Sequence, residues 1–226
     1  MEKKYDLKRR YLMELKGIKA NFLGDSITEG VGTSDYATKP FHQLIAAKYG
    51  MAEARNYGIG GTRFAKQQKP SEKARWDLDF CSRIEDMDPD ASVVVLFGGT
   101  NDYGHGDAPV GSFADRTPDT FYGACHYIMK NLIEKYPEAR IVVMTPLHRE
   151  GELNKNVNGK NLADYVEIIR EVAEYYSLPV LDLFRISGMQ PAIKVIKKTY
   201  VPDGLHPNDK GHERMAEIIG AYLASI

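Results

Sequence analysis

The sequence carries almost no charge of either sign in excess: 30 Lys and Arg stand against 31 Asp and Glu, a formal net charge of −1. Such balance gives no electrostatic reason to expect a nucleic acid or an anionic membrane surface as partner. Long apolar runs are missing too. No stretch approaches the roughly 20 apolar residues of a membrane span. The N-terminal segment MEKKYDLKRRYLMELKG is too charged to hold the apolar region of a secretory signal. Only two cysteines occur, Cys81 and Cys125, too few for a disulfide framework. Cys125 falls in an apolar helical stripe, where a buried free thiol is expected. These absences together lead us to expect a cytoplasmic protein. No repeat, low-complexity tract or linker divides the chain, and 226 residues with 43% hydrophobic content suit one domain spanning residues 1–226.

What is present is an alternation. Short apolar runs at Ile18–Leu23, Ser92–Phe97 and Arg140–Thr145 read as strands, with weaker ones at Glu53–Tyr57 and Pro179–Leu183. Continuous apolar strands of this kind are buried on both faces, as in parallel sheets. Helical periodicity fills the gaps: Phe121, Ala124, Cys125, Ile128 and Leu132; Leu162, Tyr165, Val166, Ile169, Val172 and Tyr176; Met215, Ile218, Ile219 and Tyr222. Thr117-Pro118-Asp119 has the composition of a helix start. Phe41, Leu44, Ile45 and Ala46 after Pro40 suggest a shorter helix, and Trp76, Phe80 and Ile84 suggest one over Arg75–Met87. Strands alternating with helices predict a parallel sheet of about five strands covered on both sides. Three stretches read as functional loops: Tyr103–Arg116, Leu147–Lys160 and Arg185–Gly204. In such sheets ligands bind beyond the C-terminal strand ends.

Four segments at those ends carry chemistry. In Gly24-Asp25-Ser26-Ile27-Thr28-Glu29-Gly30, Ser26 is either a nucleophile held exposed on a strand-to-helix turn or a helix cap. Asn56-Tyr57-Gly58-Ile59-Gly60-Gly61-Thr62 supplies glycines whose backbone can approach a ligand, without the spacing of a dinucleotide fingerprint. Gly98-Gly99-Thr100-Asn101-Asp102 places an amide where it either caps a turn or donates to an oxyanion. In Asp203-Gly204-Leu205-His206-Pro207-Asn208 an Asp three residues before a His can reach its far ring nitrogen and fix the tautomer. Asp102-Tyr103-Gly104-His105 has the same spacing, so spacing alone does not choose between them. Nucleophile, base, orienting acid and oxyanion donors together make up the parts needed for acyl transfer.

In this combination the chain resembles the SGNH hydrolases, the GDSL esterase/lipase family, from Ile18 to about residue 212. Gly24-Asp25-Ser26 resembles the nucleophile block, Gly99-Thr100-Asn101-Asp102 the G-x-N-D block, and Asp203-Gly204-Leu205-His206-Pro207 the D-x-x-H-P block. The resemblance implies an α/β fold, a three-layer α/β/α sandwich, flavodoxin-like, with a central parallel sheet. It implies Ser26 as nucleophile, His206 as base and Asp203 as its orienter. It implies an oxyanion hole from Ser26 N–H, a glycine N–H and the Asn101 amide. Aligning on Asn56 makes Gly61 the glycine donor, with Gly60 the alternative. The sequence departs from the family at Ile27, where leucine is usual, and at Thr62, where Asp or Asn often stands. No metal or organic cofactor is implied. The expected partner is a small-molecule or carbohydrate ester, with no signal for an oligomeric state. A mean hydropathy of −0.40 and the absence of an apolar lid favour short acyl groups on a polar alcohol, with Tyr36 and Tyr103 as candidate sugar platforms. Three alternatives stand beside this reading: a lysophospholipase or thioesterase of the same family, a metal-dependent phosphoesterase built on Asp25, Asp102, Asp203 and His206, and a non-catalytic binding module.

Overall fold

The computed structural model describes residues 14–226. The expectation drawn from the charged segment 1–17 falls mostly outside that range. Five strands form one sheet: β1 (Lys19–Gly24), β2 (Glu53–Gly58), β3 (Val93–Phe97), β4 (Arg140–Met144) and β5 (Val180–Leu181). All pairings are parallel, in the order β2-β1-β3-β4-β5. The helices are α1 (Ser26–Glu29), α2 (Phe41–Tyr49), α3 (Phe80–Arg83), α4 (Thr100–His105), α5 (Phe121–Lys135), α6 (Leu162–Tyr175), α7 (Leu183–Ile186), α8 (Lys194–Tyr200) and α9 (Asp209–Ser225).

The apolar strand runs exist because both faces of the sheet are covered. Side chains alternate along each strand. Leu23, Val94, Leu96, Ile141 and Val143 enter one core, with Phe80, Phe121, Ile128, Leu132, Val166 and Ile169 from α3, α5 and α6. Ala20, Phe22, Val93, Val95, Phe97, Val142 and Met144 enter the other, with Phe41 and Ile45 of α2 and Met215, Ile219 and Leu223 of α9. The result is a three-layer α/β/α sandwich. Both cysteines are free and buried, Cys81 on α3 and Cys125 on α5. Among the described residues, no helix is long and apolar enough to cross a membrane.

Two helix starts differ from the sequence reading. Helix α5 begins at Phe121, capped by the Thr120 hydroxyl accepting from Gly123 N–H at 3.1 Å, rather than at Pro118. The Pro118 carbonyl instead accepts the Lys66 N–H at 2.8 Å, which draws that turn into the loop. The expected Arg75–Met87 helix is broken into a 3₁₀ turn at Ala74–Asp77 and the short α3. The Asp77 carboxylate binds Ser71 N–H at 2.8 Å and Arg63 at 2.8 Å, pinning the first piece. Asp79 then caps a fresh start by accepting from Ser82 N–H at 2.9 Å. The Arg185–Gly204 stretch read as loop contains α8.

Strand order decides where a site can form. The chain leaves β1 toward β2 on one side and crosses back to β3 on the other, so a crevice opens between β1 and β3 at the carboxyl ends. The register sets Gly58, Gly24, Phe97 and Met144 side by side along that rim. Ser26 lies two residues beyond Gly24, Gly60 two beyond Gly58 and Asn101 four beyond Phe97.

Candidate active site

Ser26 opens α1, but the cap is Asp25. The Asp25 carboxylate accepts the Ile27 N–H at 2.9 Å, so the serine hydroxyl is not consumed in capping. Burial raises the Asp25 carboxyl to about 6, against the opposing pull of that N–H, His206, Arg83 and Arg149. At the first helical position the Ser26 N–H has no intrahelical carbonyl to meet.

His206 reaches this serine from the segment before α9. Its Nε2 lies 3.0 Å from Ser26 Oγ and its Nδ1 lies 2.7 Å from Asp203 Oδ2. With Nδ1–H donating to the carboxylate, Nε2 is left to accept the hydroxyl proton. The other Asp203 oxygen accepts the N–H groups of His206 and Leu205 at 2.7 and 2.9 Å. Burial pushes the Asp203 carboxyl up, but the His206 ring and these two N–H groups outweigh it and hold the carboxyl below its ordinary value.

The second Asp-x-x-His pair does not form a dyad. Asp102 points away from His105 and accepts the N–H groups of Phe64 and Ala65 at 2.9 and 3.0 Å. It thereby ties the start of α4 to the glycine-bearing loop after β2. Burial raises its carboxyl to about 7, with those N–H groups opposing. His105 lies against Trp76, ring centroids 4.8 Å apart, with Nδ1 3.2 Å from Arg63 Nη1. Burial, then the Arg63 and Arg149 charges, lower its pKa to about 4. Among the described residues, no three His, Cys, Asp or Glu side chains converge as metal ligands. Asp25 and Asp102 are committed to backbone N–H groups.

The glycine loop presents two different N–H groups. Gly60 N–H donates to Glu29 Oε2 at 2.7 Å. Gly61 has φ +81°, a left-handed conformation that glycine adopts without strain, and packs directly under Trp76. Asn101, buried at the start of α4, donates one amide N–H to the Thr62 carbonyl at 2.9 Å, which leaves the second N–H of the amide.

Three groups escaped the sequence reading. Glu29 binds Gly60 N–H and, at 2.6 Å, Arg75, and so fastens the serine turn to the glycine loop. Arg83 is buried and donates to the carbonyls of Tyr57 at 2.6 Å and Gly24 at 3.2 Å and to the Thr62 hydroxyl at 3.1 Å. It binds together the carboxyl ends of β1 and β2; burial lowers its pKa to about 10. Arg149, from the loop after β4, lies over Tyr103. Glu29 stands inside a segment singled out for Ser26, whereas the arginines carry no local signal. Tyr103 is not a sugar platform: it is buried and its hydroxyl donates to the Gly151 and Asn154 carbonyls. Tyr36 is half exposed.

The three-layer sandwich thus carries a serine, a histidine and an aspartate in hydrogen-bonded line at its switch point. The chain belongs to the GDSL-like lipase/acylhydrolase family, whose profile matches residues 22–214. A 69-residue segment is 41% identical to the acetylxylan esterase of Xylanibacter ruminicola; it covers 30% of this chain and 13% of that much longer protein. Among solved structures, a Lactobacillus plantarum protein superposes with a TM-score of 0.79 at 29% identity, over 92% of this chain and 97% of the other. The acetyl xylan esterase AlAXEase shares the fold, with a TM-score of 0.59 at 22% identity over 91% and 100% of the two chains.

Proposed function

We propose that the chain is a serine esterase that hydrolyses carboxylic esters and removes short acyl groups, acetyl foremost, from a polar or carbohydrate alcohol. The observation that carries this is the line Asp203–His206–Ser26, at 2.7 and 3.0 Å. His206 takes the Ser26 proton as Oγ attacks the ester carbonyl, and Asp203 stabilises the imidazolium that forms. The oxyanion is received by Ser26 N–H, Gly61 N–H and the second N–H of Asn101. His206 then protonates the departing alcohol, and a water activated by the same ring releases the acid. Family membership supports ester chemistry. The local identity to an acetylxylan esterase supports an acetylated saccharide as substrate.

The test is a panel of acetyl, butyryl and octanoyl esters with acetylated oligosaccharides. Ser26→Ala and His206→Ala should each lower turnover by about 10⁴–10⁶-fold, whereas His105→Ala should keep most of it. Loss in His105→Ala with activity surviving in His206→Ala would overturn the assignment of the base. A marked preference for octanoyl esters would overturn the short-acyl reading.

A further inference from the structure

Most charged groups near the rim are matched by a counter-charge. Arg63, Arg75 and Arg170 each pair with a carboxylate, and Arg83, which meets none, spends its two terminal nitrogens on the Tyr57 and Gly24 carbonyls and the Thr62 hydroxyl. Arg149 also lacks a counter-charge: no carboxylate of the described residues lies within ion-pair distance of its guanidinium. The side chain is half-buried. Nη1 donates to Thr100, at 3.0 Å to the carbonyl and 3.2 Å to the hydroxyl. Nε is buried with no partner. A partly desolvated guanidinium carries five donors, and Thr100 engages one nitrogen of its fork. Leaving such a charge uncompensated costs stability, and an anion supplied from outside would offset that cost.

Its position is fixed from both sides. On one side it bonds Thr100, the neighbour of Asn101, and its guanidinium lies 5.5 Å over the Tyr103 ring. Gly104 admits it: a Cβ there would stand 2.6 Å from Nη1. On the other side the next residue, Glu150, donates its N–H to the Gly204 carbonyl at 2.7 Å, beside Asp203. The Arg149 charge also acts on the carboxyls of both Asp25 and Asp203. The guanidinium therefore sits on the rim between the Asn101 helix and the His206 segment, flanking Ser26.

We propose that Arg149 is a substrate-binding residue that takes a carboxylate borne by the ester, so that the preferred substrates are acidic esters. This rests on the ester-hydrolase reading of Ser26. The carboxylate belongs either to the alcohol, as in an O-acetylated uronic acid, or to the acyl group, as in a hemisuccinate. A fork of N–H donors meets a carboxylate in bidentate fashion, which a lysine does not reproduce.

Two matched pairs test it on the full chain. One is 4-nitrophenyl hemisuccinate against 4-nitrophenyl butyrate. The other is O-acetylated glucuronic acid against its methyl ester. The wild type should favour the acidic member of one pair, and the pair that responds identifies the source of the carboxylate. Arg149→Met should lower kcat/KM on that member by about 10–100-fold more than on its neutral counterpart, chiefly through KM. Arg149→Lys should lose part of the preference, which gives a second measurement should the Met variant fold poorly. A wild type that cleaves the neutral esters with no acidic preference overturns the proposal alone. So does a variant that weakens both members of the responding pair equally. A wild type that cleaves none of the four, no better than Ser26→Ala, overturns the ester reading and this proposal with it.

Discussion

Replacing Gly61 with alanine separates the two glycines that compete for the oxyanion. Gly61 holds φ +81°, where an L side chain costs roughly 1–2 kcal/mol. A Cβ on its backbone would lie 2.0 Å from Trp76 Cδ1, so the indole must move. That indole is packed on His105 at 4.8 Å and under the Lys73 ammonium at 5.1 Å, and forcing it aside adds about 1–3 kcal/mol. The total, roughly 2–5 kcal/mol, corresponds to a fall in Tm of roughly 4–20 °C for a chain of this size. Because Trp76 is the single tryptophan, its emission reports the displacement directly. Turnover should fall by about 10²–10³-fold as the Gly61 N–H leaves its direction. Gly60→Ala is the comparison. Its φ is not left-handed, and its Cβ would meet the Glu29 carboxylate at 2.7 Å and Ser26 Cβ at 3.4 Å rather than the indole, so the loss should be smaller and Trp76 emission unchanged. Thermal melts, emission spectra and aryl-acetate kinetics on both variants decide the matter. Wild-type emission and turnover in Gly61→Ala, with the greater damage in Gly60→Ala, would refute the reasoning.

Two further outcomes follow from the same geometry. Glu29→Ala should lower kcat about tenfold with little change in KM, since the Gly60 N–H loses its acceptor; Glu29→Gln, which keeps an acceptor oxygen, should restore most of it in steady-state assays. His212 accepts the Phe41 N–H at 3.1 Å, and burial lowers its pKa from 6.5 to about 3. Its folded pKa lies below its unfolded one, so the stability tied to the neutral ring is complete above about pH 6.5 and drains as pH falls toward 3. Between pH 6.5 and 4.5 that amounts to about 2 kcal/mol. Urea unfolding of His212→Asn at the two pH values should show a pH-dependent loss smaller by that amount, and an unchanged slope would count against it.

The strands were legible because their cause is local. A run such as Val93–Phe97 is apolar throughout since alternate residues enter two cores, and the sequence shows both faces at once. The long helices were legible for the same reason. Helix starts were less so. Thr117-Pro118-Asp119 has the right composition, yet Lys66, far along the chain, claims the Pro118 carbonyl. Asp77 and Asp79 interrupt a plausible helix with bonds to Ser71, Arg63 and Ser82.

The candidate site divides the same way. The sequence by itself determined which side chains stand at the carboxyl ends of the strands, because motif spacing from each strand end is short and covalent. It left Ser26 as cap or nucleophile, Gly60 or Gly61 as donor, and two Asp-x-x-His pairs of equal spacing. Tertiary structure decided the arrangement in space. Asp25 caps α1, Glu29 takes the Gly60 N–H, Asp102 is turned to Phe64 and Ala65, and His206 is carried across 180 residues to Ser26. Arg149 beside them was invisible beforehand. Each of these outcomes depends on which partner a polar group meets once it is buried, and strand order and register alone bring those partners together.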